Sequence, residues 1–170
     1  MPEVKDAVTM KGNPVTLVGN VVEVGSPAPD VTLTANDLSD FSLSSLKGKK
    51  VLVSVVPSLD TPVCDTQTTR FNSAAEDLGD DVVIVTVSMD LPFAQKRWCG
   101  SSGIDKVKTV SDHRSAAFGE AYGVLVKGIR LLARAIFIID AEGILRYKQI
   151  VPEITQEPDY DEAITAVKNL

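Results

Sequence analysis

An α/β fold built on a central mixed sheet is predicted by three observations. Val51–Val56 and Val82–Ser88 are almost continuously apolar, the pattern of parallel strands covered on both faces. The segment between them carries Phe71, Ala74, Ala75 and Leu78 at i, i+3, i+4 and i+7, the stripe of an amphipathic helix. Further on, Ala135–Ile139 is another apolar strand, turned by Asp140-Ala141-Glu142-Gly143 into the partly polar run Ile144–Ile150. Strand, helix and strand in that order make a βαβ crossover, which is nearly always right-handed. The closing hairpin then adds antiparallel strands. The 170 residues, 44% hydrophobic and 24% charged, fit a single domain over 1–170 with a substantial core.

Residues 1–25 read as an added β-hairpin. Val8-Thr9-Met10 and Val15-Thr16-Leu17 flank Lys11-Gly12-Asn13-Pro14, a turn signal. Gly25-Ser26-Pro27-Ala28-Pro29 forces an extended connection. Val31–Thr34 is strand-like, Ser42–Leu46 a strand end with a turn, and Lys47–Lys50 a solvated turn. After Val56, Thr61 suits a helix N-cap and Pro62 the first helical position, where its missing N–H costs nothing. A helix of about four turns follows. Beyond Ser88, Asp90 suits the cap of a short helix, Pro92 its first turn, and Gly100 the position just past its end. Val107–Val110 predicts a strand and Ser115–Tyr122 a short helix. Arg146 and Lys148 place Ile144–Ile150 at a sheet edge. Asp159–Leu170 closes the chain as a helix with Ala163, Ile164 and Val167 on one face.

Several functions have little support. A net charge of −6 argues against nucleic acid and anionic membrane as partners, and no apolar stretch approaches a membrane span. The N-terminus Met1-Pro2-Glu3-Val4-Lys5-Asp6 lacks the basic and apolar regions of a signal peptide, so a cytoplasmic location, where thiols rest reduced, is the simplest fit. One histidine and two cysteines make a zinc site improbable. Asp112-His113 resembles a hydrolase triad only superficially, for there is no G-x-S-x-G elbow; His113 reads as a surface or capping residue. No glycine-rich phosphate loop is present, and no cofactor is expected.

The chemistry falls to the two cysteines. A lone cysteine is most often a small buried hydrophobe. Cys64, however, has Asp60, Thr61, Asp65, Thr66 and Gln67 as neighbours, a setting too polar for a core position. In the first turn of its helix, unpaired amides and the positive dipole end favour a thiolate. Asp60 and Asp65 oppose it, so the fold must bring a cation from elsewhere. Cys99 falls in the last turn of the next helix, where the dipole disfavours a thiolate and Lys96 and Arg97 offset this only in part. Cys64 therefore reads as the attacking thiol and Cys99 as the second to react. They stand 35 positions apart, which excludes a C-x-x-C pair. Trp98 beside Cys99 reads as core packing.

Pro57-x-x-x-Thr61-x-x-Cys64 resembles the peroxidatic motif of the peroxiredoxins. The whole string Pro57–Asp65 is similar to the thiol peroxidase branch of that family. So are Leu91-Pro92-Phe93-Ala94-Gln95, Trp98-Cys99-Gly100, Gly12–Thr16, Glu153-Ile154-Thr155 and Glu157–Tyr160. The resemblance implies a thioredoxin-like fold with an N-terminal extension. It implies that Cys64 is peroxidatic and Cys99 resolving, that the Thr61 hydroxyl hydrogen-bonds in the site, and that Pro57 limits water access. It also implies that Arg134 is the active-site cation, although the sequence alone slightly favours a strand-end arginine reaching solvent; Arg130 and Arg70 are the fallbacks. The implied activity is reduction of hydrogen peroxide and alkyl hydroperoxides through a Cys64 sulfenic acid. An intramolecular Cys64–Cys99 disulfide would follow, reduced by thioredoxin, in a homodimer. A disulfide needs Cα atoms within about 7 Å. First-turn and last-turn positions on different helices do not meet that need, so local unfolding is expected. The rival readings are a non-enzymatic sensor relaying its disulfide to a partner protein, and a structural adaptor with inert cysteines.

Overall fold

The computed structural model describes residues 1–170. At the N-terminus, β1 (Glu3–Met10) pairs antiparallel with β2 (Asn13–Val18) through Lys11-Gly12. Both turn residues have positive φ, 50° and 81°, the hand that matches hairpin twist and that glycine adopts freely. The strands β3 (Thr32–Thr34) and β4 (Asp40–Ser42) lead into a 3₁₀ turn at Leu43–Leu46. The predicted crossover is β5 (Lys50–Val55), α1 (Pro62–Leu78) and β6 (Val82–Ser88). It is followed by α2 (Pro92–Ser102), β7 (Val107–Ser111), α3 (Ala117–Tyr122) and β8 (Leu125–Val126). The chain closes with β9 (Ala135–Ile139), β10 (Leu145–Ile150) and α4 (Tyr160–Lys168).

Seven strands form the main sheet in the order β10-β9-β5-β6-β7-β3-β4. The central three are parallel and the flanking ones antiparallel, with β10 at the edge as its charged residues require. This is the predicted mixed sheet of a thioredoxin-like fold. The hairpin forms a second sheet with β8, a two-residue strand too short to show a period in the sequence. Side chains alternate between two cores, which explains why β5 and β9 read as unbroken apolar runs. Val51, Val53, Val55 and Phe137 meet Phe118 and Tyr122 of α3 and Val8 and Leu17 of the hairpin. Leu52, Val56, Ile136 and Ile138 meet Phe71 of α1, Trp98 of α2 and Val167 of α4.

Helix boundaries depart from expectation near both cysteine segments. The N-cap of α2 is Leu91, not Asp90, and the helix passes through Gly100 to end at Gly103 in the left-handed region, φ 69°. Asp90 is used elsewhere: its carboxylate accepts from Ser58 Oγ, Leu59 N and Ser88 Oγ, at 2.7, 2.8 and 2.7 Å. α3 starts at Ala117 rather than Ser115, because Ala116 is left-handed. Asp112, not His113, holds the start of α3, accepting from Phe118 N and Gly119 N at 3.0 and 2.9 Å. Burial pushes the Asp112 carboxyl above its usual range, against the pull of those two amides.

Under α1 and α2 the sheet carries a row of hydroxyls. Ser54, Thr86 and Thr109 stand in register across β5, β6 and β7, and all three are buried. Ser54 Oγ accepts from Gln67 Nε2 at 2.7 Å, and Thr109 Oγ1 donates to Asn36 Oδ1 at 3.2 Å. Thr86 Oγ1 has no protein partner. A buried unsatisfied hydroxyl costs about 1–3 kcal/mol. Thr86→Val keeps the shape and removes that cost, so the melting temperature should rise by about 2–4 °C. Thermal unfolding followed by circular dichroism measures it; a fall would mean that the hydroxyl is hydrogen-bonded in solution.

Candidate active site

The ladder between β5 and β6 ends at the bond from Val56 N to Val87 O, and the next residue, the buried Pro57, has no N–H to offer a neighbouring strand. The chain then crosses to α1 over a loop that Asp90 ties to the end of β6. Thr61 occupies the N-cap position and Pro62 the first helical one, as predicted. The Thr61 side chain, however, makes no cap bond; its hydroxyl is exposed and donates to the Ser58 carbonyl at 3.1 Å. The first helical bond runs from Asp65 N to Thr61 O, so the amides of Val63 and Cys64 precede it.

Cys64 is 0% exposed and packs in the core beneath α1. The expectation that its polar neighbours keep it out of the core is therefore corrected. On a helix those neighbours divide: Asp65 and Thr66 face solvent, while Cys64, Gln67, Thr68 and Phe71 follow the i, i+3, i+4, i+7 stripe inward. Asp60 is exposed as well.

The antiparallel register between β5 and β9 sets Ala135 opposite Val55, which puts Arg134 beside the end of β5 where α1 begins. Its side chain is 2% exposed, not solvated as the sequence alone slightly favoured. Nη2 lies 3.3 Å from Cys64 Sγ, Nη1 donates to Gln67 Oε1 at 2.9 Å, and Nε donates to the Ile154 carbonyl at 2.8 Å. None of these partners is a carboxylate. A guanidinium stays charged at any working pH, and a buried charge is stable only when paired or fully hydrogen-bonded. Among its partners only the sulfur can become an anion. The two fallback arginines lie elsewhere. Arg70 is exposed, 3.4 Å from Asp161 and over the Tyr160 ring, and Arg130 is on the surface.

Gln67 and Ile154 were not among the candidates. Gln67 could have been found by running the stripe backwards from Phe71, which reaches a polar residue on the buried face. Ile154 contributes through its backbone, for which the sequence carries no signal.

Cys99 opens the last turn of α2 and is half-buried, with Sγ 3.5 Å from Thr109 Oγ1. Thr109 spends its one proton on Asn36, so the Cys99 thiol is the donor in that pair. Trp98 is buried and packs against the core, as read. Both thiols are free; they stand on different helices, Cys64 against Arg134 just before β9 and Cys99 against Thr109 of β7. A sulfur nucleophile against a fixed cation, at a helix N-terminus, can displace a leaving group that departs as an anion. No helix is long and apolar enough to cross a membrane.

Comparison with known proteins gives a consistent result. The Redoxin family model matches residues 23–164. The thiol peroxidase of Bacillus subtilis (strain 168) is 55% identical over 163 residues, 96% of this chain and 97% of that protein. The thiol peroxidase of Staphylococcus aureus (strain MRSA252) is 52% identical, covering 96% and 98% of the two chains. Among solved structures, a peroxiredoxin-like protein from Aquifex aeolicus superposes with a TM-score of 0.90 at 47% identity, over 96% of each chain. A thiol peroxidase from Chromobacterium violaceum, at 19% identity and a TM-score of 0.85 over 95% of each chain, shares the fold.

Proposed function

The chain belongs to the redoxin family, in its thiol peroxidase branch, and from that premise we propose a thiol-dependent peroxidase with Cys64 as its nucleophile. The observation that carries this reading is the buried Arg134 guanidinium, 3.3 Å from Cys64 Sγ and without a carboxylate. The Cys64 thiolate attacks one oxygen of the peroxide. The O–O bond breaks, sulfur is oxidised to a sulfenic acid, and the other oxygen leaves as hydroxide or alkoxide and takes up a proton. Arg134 stands beside the sulfur where negative charge passes to the oxygens, and the first-turn amides add donors. Pro57 screens the sulfur from water, and the Thr61 hydroxyl lies on the same loop to hydrogen-bond the peroxide. Since Cys64 is fully covered, a small peroxide enters through transient opening of Ser58–Thr61.

Cys99 then condenses with the sulfenic acid, releasing water and forming an intramolecular disulfide. Each sulfur must leave its present partner, Arg134 or Thr109, for this bond to form. Local unfolding of α1 and α2 is the step that permits it. A thioredoxin-type dithiol restores both thiols by exchange. With such a reductant we assign the enzyme to the cytoplasm, where thiols rest reduced. We assign it a homodimer, which would cover Leu91 and Phe93, two exposed apolar side chains flanking the start of α2. The relay alternative gains nothing from relatives that carry enzyme names.

The experiment is peroxide-dependent NADPH oxidation with thioredoxin and thioredoxin reductase. Wild type should turn over steadily. Cys99→Ser should react once with peroxide, then stall or over-oxidise, with coupled turnover reduced at least tenfold and partly restored by dithiothreitol. Full coupled turnover in Cys99→Ser would remove its resolving role, and a disulfide-linked dimer on a non-reducing gel would move the bond between chains.

A further inference from the structure

One carboxylate outside the reacting groups collects five hydrogen bonds. Glu153 Oε1 accepts from Gly12 N at 2.8 Å and Thr9 Oγ1 at 2.9 Å. Its Oε2 accepts from Thr155 Oγ1 at 2.6 Å, Thr155 N at 2.8 Å and Lys11 N at 3.2 Å. Donation from the Thr155 hydroxyl, with the amides of Gly12 and Thr155, holds the carboxyl well below the usual range, at about 2. It is therefore an anion throughout the working pH range, neutralised by hydrogen bonds and not by a cation. Two backbone bonds flank the clasp, from Thr9 N to Pro152 O at 2.7 Å and from Ile154 N to Thr9 O at 2.8 Å. The N-terminal hairpin is thereby riveted to Pro152–Thr155 on both sides of Ile154.

That segment has no helix or strand of its own to hold it. Yet the Ile154 carbonyl is one of two neutral acceptors that aim the Arg134 side chain, the other being Gln67 Oε1. The chain of contact runs from the hairpin turn through Glu153 to Ile154 O, Arg134 and Cys64 Sγ. We propose that Glu153 is a positioning residue for the peroxide step: by clamping the hairpin turn onto Pro152–Thr155 it fixes the carbonyl that points Arg134 at Cys64. The hairpin is then part of the catalytic apparatus and not an appendage. The inference rests on the reading of Cys64 and Arg134 given above. Misplacing a catalytic group by about 1 Å can cost around 100-fold in rate, so a distant clasp can matter.

A clasp that merely stabilises the fold would predict something different, and a double-mutant cycle separates the two. The readout is single-turnover oxidation of Cys64 by hydrogen peroxide, measured by rapid mixing. Glu153→Ala should slow it about tenfold. Arg134→Lys keeps the charge but has no Nε–H to donate to the Ile154 carbonyl, so adding Glu153→Ala in that background should change the rate less than twofold. Glu153→Gln keeps an acceptor for Thr9 and Gly12 but presents an amide to Thr155 and Lys11; it should fall between, and it carries the same cycle if the alanine variant does not fold. Two results would overturn the proposal. One is faster hydrogen exchange at Gly12 and Thr155, showing the clasp open, with a rate within twofold of wild type. The other is a full additive loss in the Arg134→Lys background. Cys64→Ser serves as control: peroxide reduction surviving there would sink the underlying reading, whereas an inert Cys64→Ser beside an unimpaired Glu153→Ala sinks only the role of Glu153.

Discussion

Cys64→Ser is expected to lose peroxide turnover altogether, by a factor of about 10⁴ or more, the scale for removing a nucleophile. The attacking species is a thiolate, and a serine hydroxyl does not ionise usefully near neutral pH. The fold should survive the change. Sulfur and oxygen differ little in volume, and a hydroxyl at the same place can still accept from Arg134 Nη2, now 3.3 Å from Sγ. Circular dichroism should therefore show a native spectrum while the thioredoxin-coupled assay reads background. Steady activity in a folded Cys64→Ser protein would transfer the chemistry to another residue, with Cys99 the first to examine.

Arg134→Ala should produce the second largest effect. The helix dipole alone contributes about 0.3–1 kcal/mol at exposed sites, which is small against two nearby aspartates. Removing a preorganised charge from a buried site costs about 10²–10³ in rate, and that loss is expected in the peroxide step, not in reduction by thioredoxin. Alkylation of Cys64 by iodoacetamide at pH 7, in a Cys99→Ser background, should slow in parallel. The stability change carries independent information. If Cys64 is ionised, deleting its partner breaks a buried ion pair, at a cost of about 3–5 kcal/mol. If it is a neutral thiol, Arg134 is a lone buried charge and its removal should cost far less. Unchanged alkylation and peroxide rates would show that the amides of α1 suffice. Arg134→Lys should lie between, since a lysine restores charge without the fork that engages Gln67 and Ile154 together.

The elements most legible in the sequence were those whose burial is uniform along the chain. β5, β6 and β9 sit inside the sheet with both faces covered, so their buried residues are apolar apart from Ser54, Thr86 and Ser88, and the run announces itself. β8 and α2, like the start of α3, are set by contacts the local pattern does not carry. β8 has two residues and exists because β2 offers it an edge. By type, Asp90 and Gly100 are good capping residues and suggest α2 boundaries that the fold does not use. In the fold Asp90 is committed to Ser58, Leu59 and Ser88, and Gly103 ends the helix. A residue's capping propensity is local, whereas its hydrogen-bond partner is chosen by whichever strand end lies nearest.

The candidate site divides along the same line. The placement of Cys64 at the start of a helix, on a strand–helix junction marked by Pro57, Thr61 and Pro62, was determined by the sequence alone, because a proline at the first helical position acts within a few residues. What surrounds the sulfur was decided only by tertiary structure. Whether Cys64 is buried depends on which side of α1 faces the sheet, and Arg134 arrives from 70 positions away because β9 runs antiparallel beside β5. Ile154 enters through a carbonyl, identical in every residue type, and Glu153 through a hairpin turn more than 140 positions earlier. Charge and hydrogen bonding act over a few ångströms of space, and only the strand register determines which distant residues fall within that range.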